Sequence, residues 1–301
     1  MKTIHKVMLS LAGLVGLAIL VYVVFGKEPK NDEFKPQNEF KLDNWISIKI
    51  GGIDLSVNRA VLYLWLAAGA TVFTMTYVAR RMSTDKPNRI QTAVEAAYIL
   101  MRDNITRGNM DSRMATRWFT FIGTLFLFIW FSNMIGYIQL PTNTQETINI
   151  FGAEIPSFAI YAATANIAIP LVLTLFVWVA YHVEGIRAQG FIPYLKSWIP
   201  AGTPAGPMKA GIFVIEVISQ FVRLISLSVR LFANILAGHL LILFMAGGLV
   251  VILGAAWIGV LTLPIAIAFY IFEVGLVATL QAFIFATLAS IYFGGATAAH
   301  H

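Results

Sequence analysis

Between Gly211 and Met245 the chain contains no proline, and Gly238 is its only glycine after the first residue. Nothing in that apolar stretch stops a helix. One uninterrupted helix there would be about 52 Å long at 1.5 Å per residue, whereas the hydrocarbon core of a bilayer is about 30 Å thick. The helix must therefore tilt steeply, lie partly in the membrane plane, or break. The glycine-spotted stretch Ala246–Ala256 then turns the chain, and a second long apolar helix follows over about Trp257–Phe293. The two read as a hairpin of overlong helices.

Other apolar runs reach the roughly 20 residues that cross a bilayer as helix. They cover Val7–Phe25, about Ala60–Val78, Trp118–Leu140 and about Ala163–His182. Hydrophobic residues make up 58% of the 301 and charged residues only 12%, about half the charged fraction of a soluble domain. This is an all-α polytopic membrane protein with about six membrane-embedded helices, which excludes a soluble enzyme. Residues 1–26 form an N-terminal anchor or a signal helix. The anchor is favoured, because the run is long and Val23-Val24-Phe25-Gly26-Lys27 lacks a small-x-small cleavage site. Residues 27–58 form an extracytoplasmic loop, in which Ile46–Leu55 alternates around Gly51-Gly52 as a small hairpin would. Residues 59–301 form the membrane domain, with an amphipathic helix over Ile90–Met101.

The net charge of +6 sits in loops. Arg80, Arg81, Lys86, Arg89, Arg102, Arg107, Arg113 and Arg117 precede the third run, and Arg187, Lys196 and Lys209 follow the fourth. Pro141–Ala162 holds Glu146 and Glu154 but no Lys or Arg. The count places the two basic loops in the cytoplasm, Pro141–Ala162 outside, and the C-terminus in the cytoplasm. Basic loops of this kind imply a bilayer as partner, not nucleic acid. Trp118, Tyr137, Trp178 and Tyr181 fall near span ends, as an aromatic belt requires. With no cysteine and five histidines, neither a metal nor a redox cofactor is expected. The closing His300-His301 is either native or a tag remnant.

Polar residues on the first overlong helix are ordered. Glu216, Arg223, Arg230 and Asn234 are spaced 7, 7 and 4 apart and fall within about 40° of one another, a single stripe. His239, nine residues past Arg230, lies about 180° around the helix. The second helix adds Glu273 and Gln281. Glu216 and Arg223 are either a structural ion pair or part of an ion path. His239 is either a satisfied core histidine or a relay, and Asn234 and Gln281 are either interhelical hydrogen-bond glue or functional. Arg230 has no acid near it on the stripe, and a buried guanidinium without a partner is costly.

On these residues the chain resembles subunit a of the F-type ATP synthase, of bacterial type. Ser226-Leu-Ser-Val-Arg-Leu-Phe-Ala-Asn-Ile-Leu-Ala-Gly-His239 is similar to the family signature SLxxRLFxNxxAGH, with Leu280-Gln-Ala-Phe-Ile-Phe285 in support. Weaker agreement comes from Ser132-Asn-Met-Ile-Gly136 and Tyr194-Leu-Lys-Ser-Trp-Ile-Pro200. The likeness extends over roughly Leu55–Phe293.

The resemblance implies a membrane stator without its own active site or cofactor, working with a rotating c-subunit ring, the b-subunit peripheral stalk and the other synthase subunits in the bacterial inner membrane. Arg230 would be the stator arginine, its counter-ion a carboxylate on the c-ring. A guanidinium suits the task because it keeps its charge when desolvated. Protons would pass through two offset half-channels, lined by the positions matching Glu216, His239 and Glu273, with Asn234, Gln281 and Arg223 nearby. Sodium is not excluded, since the c-subunit site chooses the ion. One departure stands out. Glu273 precedes Gln281 by eight residues where the family spacing implies seven, which turns the acid by about 80° unless a π-type distortion at Gly275 absorbs the extra residue. The rival readings are a secondary transporter holding an anionic substrate on Arg230, and a purely structural scaffold. Against the first, no internal repeat is evident. No phosphate-binding GxxxxGK[ST] loop occurs, so ATP chemistry would belong to a partner.

Overall fold

The structure, a computed structural model, describes residues 2–25, 40–42, 44–50, 53–54, 56–81, 83, 87–199 and 206–297. The linker 27–39, Gly51-Gly52, Asp85, Lys86, Pro200 and His300-His301 lie outside the described residues. Helices α1 (Lys2–Phe25), α2 (Arg59–Arg81), α3 (Arg89–Ile99), α4 (Arg107–Asn109), α5 (Ser112–Gly136), α6 (Ala168–Gln189), α7 (Phe191–Ser197), α8 (Pro207–Leu243), α9 (Leu249–Leu253), α10 (Ala256–Phe272) and α11 (Ala278–Thr297) carry the fold. Among the described residues, five stretches are long and apolar enough to cross a membrane: α2, α5, α6, the run Pro207–Leu253 and the run Ala256–Thr297. The apolar part of α1, Ala12–Val24, is shorter. The protein is a multi-pass all-α membrane protein.

The overlong helix does not break. α8 is continuous for 37 residues, about 55 Å. A π turn over Phe244–Gly248 carries it into α9, and Gly254 ends α9 with a left-handed φ of 61°, a conformation that favours glycine. The last helix likewise runs through a π turn, Glu273–Val277, centred on Gly275.

The chain divides into two compact units. The first comprises Met1–Arg59, Tyr137–Tyr161 and Asn234–Ala278. In it α1 packs on α10. Short strands β1 (Asn44–Ile46) and β4 (Val57–Asn58) pair, as do β2 (Lys49–Ile50) and β3 (Ile53–Asp54). Arg59 stands over the Tyr161 ring at 5.1 Å and donates to the Lys41 carbonyl. The stretch after Tyr137, read from sequence only as an external loop, forms an antiparallel hairpin of β5 (Leu140–Ile150) and β6 (Ala153–Ala159). Its two-residue turn, Phe151-Gly152, has φ of 53° and 88°, the positive pair that matches hairpin twist.

The second unit comprises Ala60–Gly136, Ala162–Ala233 and Thr279–His301. Here a π segment, Leu100–Thr106, follows α3 and packs on α5. Ser290 of α11 donates to the Ile105 carbonyl at 3.0 Å. A Cβ on Gly294 would collide with the Asn109 carbonyl oxygen, so only glycine lets α11 approach α4 there. Arg117 of α5 reaches the buried Glu184 of α6 at 2.6 Å.

Candidate functional site

The candidate residues Glu216, Arg223, His239 and Glu273 fall into polar clusters within the separate units. The first surrounds Tyr137, the residue after α5. Its hydroxyl donates to Glu273 Oε2 at 3.0 Å, and its ring lies 4.5 Å from the His239 imidazole, tilted by 32°. Tyr270, three residues before Glu273, donates its hydroxyl to the Tyr137 carbonyl at 2.9 Å. His239 Nδ1 is 2.9 Å from the carbonyl of Ile235, one turn back on α8. A carbonyl only accepts, so Nδ1 carries the hydrogen. Tyr137, His239 and Glu273 are 1%, 2% and 8% exposed, so each polar group depends on its partners inside the protein.

Glycine makes the arrangement possible. A Cβ on Gly238 would fall 2.5 Å from Glu273 Cδ and Oε2 and 2.7 Å from Oε1. The carboxyl group therefore rests on the bare backbone of α8, next to His239. Beside this cluster lies a cavity of about 360 Å³, lined among others by Phe40, Gln139, Phe158, His239, Leu263 and Tyr270. It is large enough to take several waters and touches polar groups that could bond them.

The second cluster lies on α8 and α6. Arg223 Nη2 donates to Glu216 Oε1 at 3.1 Å and Gln220 Nε2 to the same oxygen at 3.0 Å. Tyr181 donates its hydroxyl to Gln220 Oε1 at 2.9 Å, and Trp178 Nε1 donates to the Gln220 carbonyl at 3.1 Å. The Arg223 guanidinium also lies over the Tyr292 ring at 5.7 Å, a cation–π contact. The ion pair weighed from the sequence is thus present, within a single helix.

Arg230 behaves differently. It is exposed, beside exposed Val229, while its neighbours Leu227, Ser228 and Leu231 are buried. Among the described residues no carboxylate forms an ion pair with it; the pairs found are Arg107–Asp103, Arg117–Glu184, Arg187–Glu184 and Arg223–Glu216. Asn234 is exposed too, and Gln281 of α11 is buried. Among the described residues no group of His, Asp or Glu is placed to hold a metal ion.

Sequence reasoning brought His239 and Glu273 together but missed what joins them. Tyr137 and Tyr181, which by sequence fall near span ends as aromatic-belt residues, instead bond through their hydroxyls inside the protein. Gln220 did carry a signal, because it lies four residues after Glu216 and three before Arg223, on their face of α8. The π turn over Glu273–Val277 supplies the distortion that the eight-residue spacing called for, since eight residues containing one π turn have the helical phase of seven.

Residues 61–294 match the ATP synthase A chain family. The chain is 37% identical over 250 residues to the ATP synthase subunit a of Rubrobacter xylanophilus, covering 82% of this chain and 86% of that one. It is 32% identical over 267 residues to that of Pelagibacter ubique, covering 88% and 98%. It is 33% identical over 270 residues to that of Maricaulis maris, covering 87% and 96%.

Proposed function

The chain belongs to the ATP synthase A chain family, and on that footing we propose that it moves protons across a bacterial plasma membrane at the face of a rotating c-subunit ring. It is the non-catalytic membrane subunit of the rotary complex, and ATP chemistry belongs to other subunits. The observation that carries the proposal is Arg230, an exposed guanidinium on an apolar span with no carboxylate of its own chain among the described residues. A fixed cation in that setting needs an acid from outside. A c-subunit carboxyl supplies it: neutral when protonated, it faces lipid as the ring turns, and beside Arg230 it is held ionised and releases its proton. The unchanging positive charge also stops protons crossing directly from entrance to exit.

The two clusters then serve the two half-channels. By the Lys and Arg count α8 begins on the cytoplasmic side, so Glu216, Gln220 and Arg223 serve the cytoplasmic half-channel. His239, Tyr137 and Glu273, with the cavity beside them, serve the outer one. Asn234 and Gln281 orient ordered water or the partner carboxyl. The driving force is about 2.3 kcal/mol per proton for each 100 mV. The b-subunit stalk holds the stator still, α1 is a retained anchor, and the C-terminus is cytoplasmic. The transporter reading receives no support from the comparisons.

The test is Arg230→Ala in the assembled complex. Proton-driven ATP synthesis is expected to vanish while the complex is still recovered. Synthesis at the normal rate in that variant would overturn the proposal, and synthesis by the parent complex driven by a sodium gradient alone would replace the ion.

A further inference from the structure

The bonding around Glu216 is lopsided. Gln220 and Arg223 both donate to Oε1, and Oε2 takes neither bond. Gln220 stands between the two charged residues on one face of α8, and it is 4% exposed. Its own oxygen is already committed to the buried Tyr181 hydroxyl, so the amide has only its NH2 to offer Glu216. The flipped amide would set oxygen against carboxylate oxygen, two acceptors with no hydrogen between them. Trp178 holds the main-chain carbonyl of the same residue. Helix α6 therefore grips Gln220 at backbone and side chain, and leaves the amide one orientation. Contact between the helices does not require this, because an apolar side chain would pack there without the cost of burying an amide.

We propose that Gln220 is a positioning residue for proton transfer: oriented by Tyr181, it holds the Glu216 carboxylate by Oε1 and directs proton exchange to Oε2. The step is balanced, since Oε2 takes up one proton and gives up the same one. The proposal rests on Glu216 being a proton carrier, as argued above. Tyr181 acts through Gln220 and touches neither the proton nor the carboxylate.

The experiment uses the assembled complex in inverted membrane vesicles, with ATP-driven proton uptake followed by fluorescence quenching in water and in D2O. Gln220→Met keeps the length and packing of the side chain but loses the amide; uptake is expected to fall about tenfold, the scale of one hydrogen bond to a charged group. Its residual rate should show a larger D2O effect than the parent, which a merely structural role would not produce. Tyr181→Phe should lose about threefold, and the double variant should be no slower than Gln220→Met, because the hydroxyl works only through the amide. Parental uptake in Gln220→Met, or losses that multiply in the double variant, would overturn the proposal. If Gln220→Met fails to assemble, Tyr181→Phe decides, and a parental rate with a parental isotope effect refutes it. Full uptake in Glu216→Ala would remove the underlying role of Glu216 instead, a separate outcome read in the same assay.

Discussion

Replacing Gly238 by alanine adds one methyl group where the Glu273 carboxyl already sits. The new carbon would stand 2.5 Å from Cδ and Oε2, and ordinary contact needs about 3.5 Å, so the carboxyl must retreat by about 1 Å. That movement stretches the 3.0 Å bond from Tyr137 beyond hydrogen-bonding range. Helix propensity works the other way, since alanine favours the helix by about 1 kcal/mol over glycine, so α8 and the assembled complex should survive. The local cost is about 1–3 kcal/mol of overpacking. A displacement of about 1 Å at a reacting group can cost as much as 100-fold in rate. We expect Gly238→Ala to slow proton-driven ATP synthesis in inverted vesicles by about 10- to 100-fold, normalised to complex content. Two controls bracket the claim. Gly247→Ala should leave the rate unchanged, because a Cβ there meets nothing within 4 Å. Adding Glu273→Asp to Gly238→Ala shortens the acid and should recover part of the loss. A parental rate in Gly238→Ala, with the complex intact, would refute the reasoning that the carboxyl must rest on this glycine to work.

Tyr137→Phe keeps the ring on His239 but removes the bond to Glu273; ATP synthesis should fall about three- to tenfold at unchanged complex yield, and an unchanged rate would count against that bond. Gly294→Ala drives a carbon into the Asn109 carbonyl oxygen, main chain that cannot swing aside, so recovery of the subunit in membranes should collapse; normal recovery would show that α11 can shift there. Arg117→Ala leaves the buried Glu184 with only a 4.0 Å contact to Arg187. Because Arg117 is half exposed, the cost should be about 1–2 kcal/mol, seen as a lower melting temperature of the purified complex.

Much of this architecture was legible because it depends on local features. Span length follows from how many apolar residues lie between charges, so α2 and α8 could be read directly, α8 as an overlong helix. Even the π turn at Glu273–Val277 left a trace, an eight-residue spacing where seven was expected. The β5–β6 hairpin did not. Pro141 and Pro156 break its alternation, and its turn begins with a phenylalanine in a left-handed conformation, which no simple turn signal announces.

The amino-acid order by itself determined the membrane class, the basic loops, and an arginine at position 230 with no acid near it on its own helix stripe. Each follows from hydrophobicity, charge and the 3.6-residue period acting within one segment. Only the tertiary structure decided which buried polar groups meet. Tyr137 and Glu273 are 136 residues apart, and Tyr181 and Gln220 are 39 apart. A desolvated hydroxyl, amide or carboxyl must find a partner wherever the packing puts one, and no periodicity along the chain encodes that choice.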